Sequence, residues 1–230
     1  MKSKVFAAAS AAMLLAVSAS AASAGTVTVN SNAVGYYQNN AFNSGTNGGN
    51  LIEDGTRNNF FAFDLSGISG QVTAATLTIS GDNGYFIFNS ATPGTVTYSV
   101  YDVTTDVNAL KNFTANRIDT FNDLSSGKLY GSTSIDNTST FGTMPALVIA
   151  LTEAGFLNDI TAALGGLFAL GGTSNLGYDQ GFLWSSSSGT PTAAQLTLEV
   201  AQTPLPGALW LFGSALAGFF GLRWRKLAAA

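Results

Sequence analysis

Residues 72–80 read Val-Thr-Ala-Ala-Thr-Leu-Thr-Ile-Ser, and within them Ala75, Leu77 and Ile79 alternate with Thr76, Thr78 and Ser80. A two-residue period places one set of side chains on each face of a strand, whereas a helix would bring apolar positions back every three or four residues. One apolar face and one hydroxyl-bearing face predict an antiparallel sheet with solvent on one side. This pattern constrains the fold more than any other segment.

Shorter runs of the same kind occupy residues 26–29, 60–65, 84–88, 95–103, 146–151, 166–170, 181–184 and 195–200, separated by turns rich in Gly, Asn, Ser and Thr. Residues 38–59 carry little apolar surface and read as a long polar loop. Residues 153–164 place Leu157, Ile160, Thr161 and Leu164 on one side of a helix, with Thr152 as N-cap and Gly165 as stop. Residues 105–113 suggest a weaker helical turn. The expectation is an all-β chain: an antiparallel β-sandwich or jelly roll with one short helix. A parallel β-helix would show a fixed repeat, and none is visible.

The two ends read differently from this body. Lys2 and Lys4 precede an apolar run over residues 5–17, and Ala22-Ser23-Ala24 supplies a small-x-small cleavage pattern. This predicts a signal peptide over residues 1–24, cut by signal peptidase between Ala24 and Gly25. At the other end, residues 207–222 are all apolar, Gly or Ser, and Arg223, Arg225 and Lys226 follow. Sixteen residues rise about 24 Å as a helix, close to the ~30 Å hydrocarbon core of a bilayer. A transmembrane helix is expected there, with its basic end in the cytoplasm by the positive-inside rule. Gly213, Ala217 and Gly221 fall four apart, on one face that another helix can approach closely.

Setting both ends aside leaves four basic residues against thirteen acidic ones, so residues 25–202 form an exported domain with nine excess negative charges. Such a body repels phosphate backbones, which argues against nucleic acid as a partner. The chain has neither Cys nor His. Disulfides, thiolate or imidazole metal sites and Ser-His or Cys-His catalysis are therefore excluded.

Glu53, Glu153 and Glu199 are the only glutamates. Glu199 alternates with Leu198 and Val200 on a strand, and Glu153 falls in the first helical turn, where a negative charge suits the helix dipole. Neither arrangement reads as the paired carboxylates of a glycosidase. Glu53, Asp54, Asp64, Asp82 and Asp179 have oxygens suited to calcium, without a spacing that defines a ligand set. Tyr36 and Tyr37 beside the polar loop, and Trp184 before a run of four serines, are the candidate glycan contacts.

The segment Phe61-Ala62-Phe63-Asp64-Leu65 followed by Val72, Ala75 and Leu77 resembles the body of exported bacterial proteins with jelly-roll, carbohydrate-binding-module-like domains. The tail is more specific. Pro204-Leu205-Pro206, the span containing Trp210-Leu211-Phe212-Gly213-Ser214, and the end formed by Arg223, Arg225 and Lys226 resemble the PEP-CTERM sorting signal of Gram-negative bacteria. Leu205 stands where the family name has Glu. The resemblance implies recognition by exosortase, a membrane protease, and delivery to the cell surface or extracellular matrix after transient anchoring in the inner membrane. The expected role is that of a structural protein of an exopolysaccharide biofilm matrix. The alternative is a carbohydrate-binding module recognising exopolysaccharide, and a polysaccharide lyase or hydrolase is a more distant third.

Overall fold

The computed structural model describes residues 24–39, 51–53, 55–80, 85–88, 94–137, 146–175, 180–183 and 194–201. They are mostly β-structure, and every strand pairing among them is antiparallel. The strand β1 (Ala24–Gln38) holds the architecture together. Its first half pairs with β11 (Ala194–Ala201), from Ala24 opposite Ala201 to Asn30 opposite Gln195. Its second half pairs with β3 (Arg57–Asp64), from Ser31 opposite Phe63 to Gln38 opposite Arg57. The register shifts between Ser31 and Ala33, and an extra residue at such a point bends a strand. The chain thereby passes from one sheet into the other.

The first sheet runs β1–β11–β4–β8, with β4 at Gln71–Ile79 and β8 at Leu147–Ala150. The second runs β1–β3–β9–β6–β7, with β9 at Leu167–Ser174, β6 at Gly94–Tyr101 and β7 at Leu129–Asn137. Three short strands, β2 (Leu51–Glu53), β10 (Gln180–Leu183) and β5 (Tyr85–Phe88), extend from β3 in that order. At the far side β7 approaches β8 where Gly131 has no side chain. A Cβ there would lie 2.7 Å from the Ala150 carbonyl oxygen.

The main core fills the space between the sheets. Leu77, Ile79, Ile149, Leu196 and Leu198 meet Phe61, Phe63, Tyr98, Val100 and Leu170. The alternation in residues 75–80 is observed as expected, but Val72 is also buried, three positions before Ala75. A register shift opposite Glu199 and Val200 accounts for this odd spacing: Glu199 pairs with Ala74 and Val200 with Val72, leaving Thr73 as the extra residue.

A second core lies on the outer face of the second sheet, where Tyr37, Phe60 and Ala169 are covered by Leu110 and Leu124. Leu110 belongs to α1 (Val107–Lys111), and Leu124 caps the end of α2 (Arg117–Asp123). The rings of Tyr37, Phe60 and Phe113 stand 5.8–6.1 Å apart. Because both its faces are covered, β3 is buried continuously from Asn58 to Phe63. The expected one-sided burial is therefore lost in β3, while β6 keeps it, with Val96, Tyr98 and Val100 buried and Thr95, Thr97 and Ser99 part-exposed or exposed.

The helices depart from the sequence reading. Among the described residues three are present where one helix and a weak turn were expected, and α2 is the addition. Asn116 caps it, its Oδ1 accepting from Ile118 N at 3.1 Å and Asp119 N at 3.4 Å. Asp106 caps α1 by accepting from Ala109 N at 2.8 Å. For α3 (Ala154–Ala163), Glu153 rather than Thr152 is the N-cap, and it makes no side-chain capping bond. Gly165 stops the chain's helical course as expected, with φ +83°. The presumed polar loop also contains structure, namely β2 and the start of β3. Among the described residues no helix is long and apolar enough to cross a membrane. Of the expected signal peptide over residues 1–24 only Ala24 is described, as the first residue of β1, and the rest of it and the span 207–222 lie outside them.

Candidate functional site

Strand β11 is the element from which the expected sorting segment departs, and it is paired on both sides. Ala201 is opposite Ala24 of β1 and opposite Gln71 of β4. Gly70, at φ +123°, brings its backbone against this end: a Cβ there would lie 2.6 Å from the Ala201 carbonyl oxygen and 2.7 Å from Val200 Cγ1. Only glycine meets both the conformational and the steric demand. Two further bonds fasten the same pole. Thr73 Oγ1 donates to the Glu199 carbonyl at 3.2 Å, and Val72 N donates to Thr161 Oγ1 of α3 at 3.2 Å.

Ala24 and Gly25, the expected cleavage positions, open β1 at this pole and are exposed. The sorting residues Pro204, Pro206, Trp210, Gly213, Ser214, Arg223, Arg225 and Lys226 lie outside the described residues. So does Trp184 among the candidate glycan contacts. The two tyrosines separate: Tyr37 is 1 % exposed inside the second core, and its hydroxyl donates to the Leu110 carbonyl at 3.3 Å. Burial raises its pKa to about 12. Its ring is core structure and presents no face to a ligand. Tyr36 is half-buried on the opposite side of the strand, with the Arg57 guanidinium 5.6 Å from its ring centroid.

Several of the described carboxylates are engaged in the fold. Asp64 accepts from Ser66 N at 3.0 Å, and its bonds with Ser66 hold its pKa below the ordinary value. Asp123 closes α2 onto residues 104–105 through five short contacts. Thr104 N donates to both of its oxygens at 3.2 and 3.0 Å, Thr105 N donates at 2.8 Å, and the two hydroxyls donate at 2.6 and 2.7 Å. Burial pushes its pKa up, but the four threonine donors outweigh this and leave it lowered. Asp159 of α3 accepts from Lys128 Nζ at 2.7 Å and from Tyr130 Oη at 2.7 Å. The lysine and tyrosine bonds lower its pKa.

Asp123, Asp159 and Tyr130 were not distinguished by sequence. The Thr104-Thr105 pair, whose donors need an acceptor, was the available signal. Glu153 and Glu199 lie exposed on separate elements. Of the calcium candidates, Asp54, Asp82 and Asp179 fall outside the described residues, and Glu53 lies in β2. Among the described residues no three of His, Cys, Asp and Glu stand together as a metal-ion group.

Two buried amides mark where β3 meets its neighbours. Asn58 Nδ2 donates to the Phe121 carbonyl at 2.9 Å, tying the strand to α2. Asn59 Oδ1 accepts from Tyr98 Oη at 3.0 Å inside the core. Such bonds stabilise only while both partners remain, since a stranded buried polar group costs about 1–3 kcal/mol. They satisfy one polar atom of each amide, while Asn58 Oδ1 and Asn59 Nδ2 are buried without a hydrogen-bond partner.

Comparison with known families adds the segment beyond the described strands. Residues 202–226 match the model of the PEP-CTERM protein-sorting motif. No curated protein matches the chain. The match begins at the residue that follows β11. The chain carries a PEP-CTERM sorting motif, which marks it as an exported protein sorted by exosortase, a membrane enzyme, with transient anchoring in the membrane.

Proposed function

We propose that the β-domain is cargo for the sorting system: a structural protein delivered to the cell surface or to an exopolysaccharide matrix, without an enzymatic step of its own. The observation that carries this reading is the continuity between fold and signal. The last strand ends at Ala201, and the sorting motif begins at residue 202. Strand order supports a jelly-roll assignment, because β1–β11–β4–β8 and β3–β9–β6–β7 interleave consecutive strands between two sheets. In this reading the signal peptide over residues 1–24 starts export, and residues 207–222 anchor the chain until exosortase acts.

A second reading, carbohydrate binding to exopolysaccharide, is favoured by Tyr36. Its ring is part-exposed beside Arg57, an aromatic and a donor group side by side. Calcium bridging between the acidic surface and an anionic glycan fits the same reading. The delivery reading is tested by replacing Arg223, Arg225 and Lys226 with Ala and fractionating the cells. Loss of the protein from the surface and medium supports it, and unchanged delivery overturns it.

A further inference from the structure

The first sheet has two edges, and they are treated differently. At β8, the strand is only four residues long, and β7 comes up against it at Gly131. At β1, residues 24–30 pair with β11 alone, and among the described residues no strand occupies their other side. That seven-residue stretch, Ala-Gly-Thr-Val-Thr-Val-Asn, has no charge and no proline. Folded proteins usually protect a bare edge with a charge, a proline or a covering segment, because its free backbone groups can template another strand.

We propose that this edge pairs with the same edge of a second copy, joining two first sheets into one continuous antiparallel sheet. Overlap of residues 25–29, which remain once the chain is cut before Gly25, puts Val27 opposite Val27 of the second copy, and Thr26 opposite Thr28. Self-pairing therefore keeps hydroxyls on the outer face and valines on the inner one, as the palindrome Thr-Val-Thr allows. Charge agrees with this occupant. The domain's negative excess opposes contact between copies over most of its surface, whereas this stretch contributes none of it. The nearest carboxylate on the face is Glu199, opposite Thr26 on β11, so the two Glu199 side chains stand about three strand spacings apart, ~14 Å. Placement helps as well. The edge starts beside Ala201, the residue before the sorting motif, and copies tethered through that motif meet at raised effective concentration.

The chain contains no cysteine, which permits a direct test on the full-length protein in its own cells. Val27→Cys is expected to give a disulfide-linked dimer on mild oxidation, while Thr76→Cys, on the interior strand β4, stays monomeric. Adding Thr26→Lys and Thr28→Lys to Val27→Cys places lysines opposite one another twice and should cut the dimer about tenfold. Three results would overturn the proposal: Val27→Cys linking no more than Thr76→Cys, linkage to a different protein, or a dimer that survives both lysines.

Discussion

Ala24 and Ala201 are register partners across the β1–β11 ladder, so the first and last described residues of the domain share one pole. Five residues, 202–206, separate Ala201 from the apolar run, an extended reach of about 17 Å. The residue that precedes the sorting motif is thus held by a strand paired on both sides.

Gly70 is the first test of that clamp. Gly70→Ala forces a Cβ toward the Ala201 carbonyl at a backbone conformation that favours glycine. We expect a loss of about 1–3 kcal/mol in urea unfolding. Gly25→Ala, with open space around its Cα, should change stability little by comparison.

Asp123 sets an acid limit. Its pKa is lowered in the folded protein, so its stabilisation is complete above the unfolded carboxylate value, near pH 4, and is lost as pH falls through the folded value. Asp64 and Asp159 are lowered too and add to the same slope. Unfolding midpoints measured from pH 7 to pH 2 should fall below about pH 4, and more gently in Asp123→Ala than in the parent. Equal slopes for the two proteins would contradict the threonine-held carboxylate.

Tyr130 and Lys128 share Asp159 but are not equivalent. Tyr130 is 2 % exposed, its hydroxyl ends on a carboxylate, and its ring stands edge-on to Phe156 at 5.0 Å. Tyr130→Phe should cost about 1–2 kcal/mol, the range for a bond to a charged group reduced for a part-exposed partner. Lys128 has its side chain 57 % exposed, and Lys128→Ala should leave the thermal midpoint close to the parent's.

Tyr36 and Tyr37 separate binding from stability. Tyr37→Ala empties a site enclosed by Phe60, Phe113 and Leu110 and should destabilise by about 3–5 kcal/mol. Tyr36→Ala should leave the fold intact and weaken retention on exopolysaccharide in a pull-down. Undiminished retention would remove Tyr36 from the carbohydrate-binding reading.

The strands were legible where burial is one-sided. Ala75, Leu77 and Ile79 announce their face because Thr76 and Thr78 lie against solvent on the other. Most of β3 was legible too, as residues 60–65, but its start was not: Asn58 and Asn59 are enclosed through bonds to Phe121 and Tyr98, partners 63 and 39 residues away. No local pattern encodes such distant partners. The helix α2 was missed for a different reason: at seven residues it is too short to display a period, and only Asn116 signalled its start. Tyr36 and Tyr37 looked alike by composition, and the second core separated them. The tail was read from residue identity, and comparison with a known motif supports it over residues 202–226.

We propose that an exported β-domain is delivered by a tail that exosortase removes. Intact-mass measurement of the protein from the surface and medium, covering both termini, tests it most directly. We predict a chain that begins at Gly25 and lacks the apolar span 207–222. A full-length form with its tail intact, confined to the inner membrane, would show that the tail is a permanent anchor and not a removable signal.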